Sequence, residues 1–131
     1  MTNKEILESC RETVLKLHEL DNYVARLKIS GQPAGVRTQQ FGAVSPGTND
    51  PVSAAIQLYD GLLTQQEELR AAYIQLAEQA KQIILSLSNT REAIILMRYY
   101  IEGLSDLDIS QALHLSREYI NKLRNNGIKR I

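Results

Sequence analysis

The sequence predicts an all-α protein: a long antiparallel helical hairpin followed by a C-terminal domain of three short helices. Three observations predict it. Two apolar stripes recur at alternating three- and four-residue spacings over residues 6–27 and 52–87, the period of helices packed side by side. A stretch rich in Gly and Pro, residues 30–50, separates them. After residue 88, three shorter apolar patterns follow in succession, each opened by a residue that caps helices. The aromatic share is 5%, with no Trp and one Phe, so the core must be built from Leu, Ile and Ala.

The first helix opens on Thr2-Asn-Lys-Glu5, a hydroxyl and a carboxylate at capping-box spacing. Its seam is Ile6, Cys10, Thr13, Leu17, Leu20, Val24 and Leu27, with Thr13 the one polar member. It should run to about Ile29 and stop at Gly31. Residues 30–50 hold four Gly and two Pro without periodicity, which predicts a long loop. Arg37 and Phe41 are its candidate contact residues, and a solvated tether is the simpler reading of the loop. Asp50-Pro51 then supplies an N-cap and a first-turn Pro. The second seam is Val52, Ala55, Tyr59, Leu62, Gln66, Leu69, Tyr73, Leu76, Ala80, Ile83 and Leu87. Gly61 lies inside it at a cost of about 1 kcal/mol relative to Ala. Ile56, Leu63, Ala77 and Ile84 widen this stripe beyond what the first helix covers. The excess should pack on the C-terminal domain or on a second copy, making a homodimer through the arm. The expected division is an arm, residues 1–88, and a C-terminal domain, residues 89–131.

In that domain Asn89 is an N-cap and Glu92 a first-turn carboxylate. Ile94, Ile95, Leu96, Met97 and Ile101 make the third helix strongly apolar, and Gly103 ends it. Ser105 and Asp108 form the next capping box, and Leu107, Ile109, Ala112 and Leu113 are the expected inner face of the fourth helix. His114-Leu115 make the turn. Ser116 caps the fifth helix, in which Ile120 and Leu123 point inward. That leaves Arg117, Glu118, Asn121, Lys122, Arg124 and Asn125 outward.

Two capped helices joined by a short turn, the second with a polar and basic outer face, are the layout of a helix-turn-helix that reads double-stranded DNA. The recognition helix is expected over residues 116–126. Arg117 and Lys122 carry donors for guanine O6 and N7, and Asn121 suits adenine. Ser116, Arg124, Lys129 and Arg130 are expected on phosphates, which position without reading sequence. Glu118 would accept from cytosine N4 or orient Arg117, and Asn125 completes the face. Formal net charge is zero, yet from His114 onward five cations face Glu118 alone, a local net of +4. Residues 1–88 carry a net of −2. An anionic partner is therefore expected at the C-terminal end.

Other functions find little support. His18 and His114 lie far apart with no nucleophile pattern near either, and no phosphate-binding loop or Cys/His metal spacing occurs. No enzyme activity, cofactor or metal is expected. Cys10 is the only cysteine, so no internal disulfide can form, and it is expected to be a buried thiol. The chain has no apolar run of membrane length and no signal-peptide pattern, so a cytoplasmic protein of a bacterial host cell is the expectation.

The segment Arg91-Glu92, Leu96-Met97-Arg98-Tyr99, Glu102-Gly103-Leu104-Ser105 and Asp108-Ile109-Ser110-Gln111-Ala112-Leu113-His114-Leu115-Ser116-Arg117-Glu118-Tyr119-Ile120 resembles region four of bacterial primary-type sigma factors. Ser110 stands where that family has Ala, and His114 where it has a turn Gly at positive φ. The likeness covers about a third of the chain. It implies a domain that reads promoter DNA and touches RNA polymerase. Nothing in residues 1–88 resembles the part of a sigma factor that reads the −10 element. The whole layout is similar to small late-transcription regulators and related proteins of Gram-positive phages and prophages, which implies transcription regulation. Two alternatives stay open. One is a phage packaging factor resembling a small terminase. The other is a sigma-like protein-interaction module that binds RNA polymerase.

Overall fold

The computed structural model describes the backbone of residues 2–42 and 51–131 and the side chains of residues 2–27 and 52–131. Every element in the described residues is helical: α1 (Asn3–Gly42), α2 (Pro51–Leu85), α3 (Thr90–Leu96), a π-helical turn (Met97–Ile101), α4 (Asp106–Leu113) and α5 (Arg117–Arg130). The all-α expectation holds.

α1 begins as its capping box requires. Thr2 N–H donates to the Glu5 carboxylate and Glu5 N–H to Thr2 Oγ1, each at 3.2 Å. Its far end corrects the sequence reading. The helix does not stop at Gly31 but continues to Gly42, so residues 31–42 of the expected loop are helical. Gly31, Pro33 and Gly35 each penalise a helix, Pro by about 3 kcal/mol. Ala34, Arg37, Gln39 and Gln40 favour it, and breakers set a cost on a helix without forbidding one. Residues 43–50, and with them the Asp50 cap, lie outside the described residues.

The chain divides into two compact units, one of Met1–Lys16 and Ala71–Ile131, the other of Leu17–Arg70. The division does not fall at residue 88. It passes through both long helices, because their ends near the termini share a core with the C-terminal helices. In that core Leu7, Cys10, Ala80, Ile84, Leu96 and Tyr100 are buried together, with Leu76, Ala77, Met97 and Ile128 against them. Burial on α1 falls on Leu7, Cys10, Val14, Leu17 and Val24. The expected seam is the covered side throughout, with Cys10, Leu17 and Val24 buried; Leu7 and Val14, which that seam left out, are buried beside it, and Asp21 joins Thr13 as a polar residue on the covered stripe. Thr13 satisfies its own hydroxyl by donating to Ser9 C=O at 2.8 Å.

In the second unit Leu17 and Val24 of α1 are buried. Gln66 Nε2 donates to Asp21 Oδ1, and Arg70 Nη2 reaches the same oxygen at 3.5 Å. A polar pair inside an apolar seam fixes register, because any slip would bury Asp21 against hydrocarbon. On α2 the expected seam is the covered side throughout except at Ala55, which is exposed. Of the residues thought to widen it, Ile84 is fully buried and Ile56 is exposed.

A second core lies wholly within the C-terminal helices. Ile95, Ile109, Ile120 and Leu123 are buried together, with Leu104, Leu113 and Leu115 against them. Two expected inner residues of α4 face outward instead. Leu107 is 45% exposed and Ala112 is exposed. An eight-residue helix has one inward stripe, and Ile109 with Leu113 at i, i+4 takes it.

Candidate nucleic-acid interface

Each C-terminal helix starts on the cap its sequence predicts. Asn89 Oδ1 accepts from Arg91 N–H at 3.0 Å and Glu92 N–H at 3.2 Å. Ser105 Oγ accepts from Asp108 N–H at 3.1 Å, and Ser116 Oγ from Tyr119 N–H at 3.2 Å. α3 ends through the π-helical turn. Glu102 N–H reaches back to Met97 C=O and Leu104 N–H to Arg98 C=O, with Gly103 at φ 75°. This is the left-handed glycine stop expected there.

The turn before α5 is held by Ser110. Its carbonyl accepts from His114 N–H and Leu115 N–H, and its hydroxyl donates to Leu115 C=O. An Ala at this position would lack that last bond. His114 sits at φ 57°, ψ 40°, in the left-handed region. It is the only non-glycine residue at positive φ among the described residues. That is a backbone conformation glycine adopts without a steric cost.

α5 packs inward through Ile120, Leu123 and Gly127. A Cβ on Gly127 would lie 2.9 Å from Leu96 Cδ1, so the close approach of α5 to α3 needs glycine there. The opposite face carries Arg117, Glu118, Asn121, Lys122, Asn125 and Lys129, all exposed. Glu118, Asn121, Lys122, Asn125 and Lys129, with Asn126, line one shallow surface depression. Asn125 Nδ2 donates to Asn121 Oδ1 at 2.8 Å. Glu118 makes no ion pair with Arg117 among the described residues. Arg117, Lys122 and Lys129 make none at all there. Chemically the face offers cationic and amide donors, carbonyl oxygens and one carboxylate, in water and without a buried competitor.

Two residues expected on phosphates are engaged elsewhere. Arg124 is turned inward: its Nη2 donates to Asp106 Oδ2 at 2.9 Å, and its guanidinium lies 4.2 Å from the centre of the Tyr99 ring. Its side chain is only 17% exposed. The i+4 spacing from Ile120 puts it beside the core, where Asp106 of α4 meets it. Arg130 Nη1 pairs at 2.9 Å with Glu92, a carboxylate buried to 1% exposure, so this Arg neutralises a charge inside the fold.

Sequence reasoning missed what holds this domain in place. Arg11 of α1 donates to Leu104 C=O at 3.0 Å and to Tyr99 C=O, with its guanidinium 3.7 Å from the Tyr99 ring centre. The Tyr99 ring thus has Arg11 and Arg124 both against it, and meets Tyr100 edge-on at 4.8 Å. Tyr73 of α2 donates to Ile101 C=O at 2.7 Å. Tyr99 and Ile101 carry their carbonyls at the end of a helix, where intrahelical donors run out and cations are favoured, and Leu104 lies in the connection just beyond it. A signal was present. Arg11 is four residues from Leu7 and three from Val14, which puts this cation beside the buried stripe of α1, and its side chain is partly covered where that of Lys4, one heptad earlier, is exposed. Burial pushes the Tyr73 and Tyr100 phenols up, with Arg124 opposing the rise at Tyr100.

No cluster of three or more metal-binding side chains occurs among the described residues, and no helix there is long and apolar enough to cross a membrane. No family model matches the chain, and neither does any curated protein or solved structure.

Proposed function

We propose that this protein is a transcriptional regulator of the phage or prophage type that binds duplex DNA through α5. The observation that carries the proposal is the exposed face of α5. Arg117, Asn121, Lys122, Asn125 and Lys129 stand free of the fold on a helix whose other side is fixed by Ile120, Leu123 and Gly127. An α-helix of this kind fits the major groove, and a rigid mount lets its side chains meet base edges in register. The capped α4, the left-handed His114 and the capped α5 support the same reading, as does the sequence likeness to region four of sigma factors.

The test is binding to a random duplex library across a range of salt. With Arg124 and Arg130 paired internally, three cations of α5 remain for phosphates. If α5 alone makes the footprint, the log affinity should fall with log salt at a slope no steeper than about −3 per bound chain. Replacing Lys122 or Lys129 by Ala should each flatten it by about 1. Binding that is absent at low salt would end the proposal.

One observation favours a second reading, a sigma-like module that binds RNA polymerase or another protein. Thr90, Arg91, Ile94, Leu113 and Leu115 line a largely apolar depression, and Ile94 is 39% exposed. Ile94→Asp should abolish a protein contact there and leave duplex affinity unchanged. Self-association through the arm belongs to the same proposal and is read by sedimentation.

A further inference from the structure

We propose that Asn121 is the residue that specifies a base on α5, that the base is adenine, and that Asn125 is its positioning residue. The inference rests on the proposed DNA reading and names the ligand of one residue within it.

An exposed Asn on a helix normally turns its terminal amide freely. Asn121 is restrained, because Asn125, one turn on, donates to its Oδ1 at 2.8 Å. The bond favours one plane of the Asn121 amide. It uses one of the two lone pairs on Oδ1 and leaves the second, together with both Nδ2 hydrogens. One acceptor and one donor, side by side in a held plane, match the N6 amino group and N7 of adenine in the major groove. Guanine offers two acceptors at that edge, and thymine an acceptor and a methyl group, so neither satisfies both halves of the amide. Turning both amides over reverses which residue donates and leaves the couple with the same free donor and acceptor.

The neighbours agree with this division. Asn121 is closer than Asn125 to the N-terminal end of α5, the end that reaches base edges in such motifs. Lys122 and Lys129, which share the depression with the couple, are donors only, so they suit phosphate oxygens or guanine and cannot accept from the N6 amino group of adenine. Glu118, also on that rim, accepts no hydrogen bond from either amide among the described residues. The couple therefore enters a groove with its free donor and acceptor uncommitted. Ordering the amide before binding also lowers the entropy lost on contact, which raises discrimination without adding a contact.

The experiment uses the full-length protein and duplexes selected from a random library at near-physiological salt. The wild type should enrich a motif with at least one adenine position. Asn121→Ala should erase the preference there, a loss of roughly ten- to hundredfold in discrimination, while the salt slope stays unchanged. Asn125→Ala should weaken the same preference by a smaller factor, and Asn125→Ser, which can still donate, should restore part of it. Replacing that adenine by 7-deazaadenine removes N7 alone. It should weaken wild type and leave Asn121→Ala unaffected, a result that a purely structural role for Asn121 would not give. A motif that survives Asn121→Ala intact would overturn the inference and leave the DNA reading standing. A wild type that binds no duplex would overturn both.

Discussion

His114 is the residue where backbone strain and sequence meet most openly. A left-handed conformation costs an L-residue about 1–2 kcal/mol, and glycine escapes that cost while losing more chain entropy on folding. The imidazole is exposed and the backbone bond from His114 to Ser110 survives its removal. His114→Gly should therefore stabilise the protein by about 0.5–1 kcal/mol. A rise in the urea midpoint at unchanged slope would register it, and a fall would mean that the imidazole itself holds the turn. Cys10 behaves oppositely, as a residue hidden by its neighbours. It is fully buried, and burial pushes its thiol up from 9.0 to about 11. The folded protein therefore keeps the proton over a range in which the unfolded chain releases it. Stability from this source is whole below pH 9 and is lost as pH rises through about 11. The raised Tyr73 and Tyr100 act in the same sense above their ordinary 10.0. Melting temperature should thus drop between pH 9 and 11, and the drop should be shallower in Cys10→Ala. Residue-level legibility followed chemistry that is local in sequence. Capping residues, the Gly103 stop and the outward placing of Arg117, Glu118, Asn121, Lys122 and Asn125 depend on spacings of a few residues, and these could be read. The inward turn of Arg124 depends on Asp106 and Tyr99, which lie on other elements, and could not.

Among the elements, the π-helical turn does more than close α3. A helix that widens and stops leaves carbonyls without intrahelical donors, and here Tyr99, Ile101 and Leu104 present theirs to α1 and α2. Arg11 answers two of them and stacks on Tyr99 as well. Arg11→Ala removes the donor from both partly buried carbonyls together with a cation–π contact. The expected loss is about 2–4 kcal/mol. Both bonds come from the one nitrogen Nη1, so Arg11→Lys keeps the charge and a head group able to donate twice but loses the planar guanidinium against the Tyr99 ring, and it should recover only part of that loss. Denaturant unfolding of the three proteins decides the matter, and a change below about 0.5 kcal/mol in Arg11→Ala would show the bonds to be incidental. Element boundaries were legible where a cap and a seam coincided, as at Thr2, Asn89, Ser105 and Ser116. They were not legible where composition argued against geometry. Gly31 and Pro33 read as a stop, and α1 carries on to Gly42. The seam of α1 was legible in Cys10, Leu17 and Val24, while Leu7 and Val14 were passed over because Ile6 and Leu20 offer an apolar stripe of the same period beside them. Only the partner surface distinguishes the two stripes.

For the whole molecule, the sequence suggested a boundary at residue 88, with a C-terminal domain beyond it and the excess of the α2 stripe left to pack on that domain or on a second copy. That suggestion followed from the change of apolar period and from the local charge of +4. Neither signal reports which surfaces need covering. The inner core of Ile95, Ile109, Ile120 and Leu123 is complete within residues 89–131. Leu96 and Tyr100 are not covered there. They are buried by Leu7 and Cys10 from α1 and by Ala80 and Ile84 from α2. Cutting at residue 88 would expose both side chains, at about 1.5–3 kcal/mol for each large apolar group returned to water. It would also remove Arg11 and Tyr73 from the carbonyls of the π-helical turn. A fragment so close to the lower size limit for a self-supporting core has little stability to lose. Residues 89–131 alone should therefore melt without a cooperative transition. Residues 71–131 mixed with a peptide of residues 2–16 should regain one, because together they restore the larger core. Circular dichroism melts with amide proton spectra would test this. Sharp melting and dispersed resonances from residues 89–131 alone would show that the inner core suffices, and that α1 and α2 serve the C-terminal helices only as an attachment.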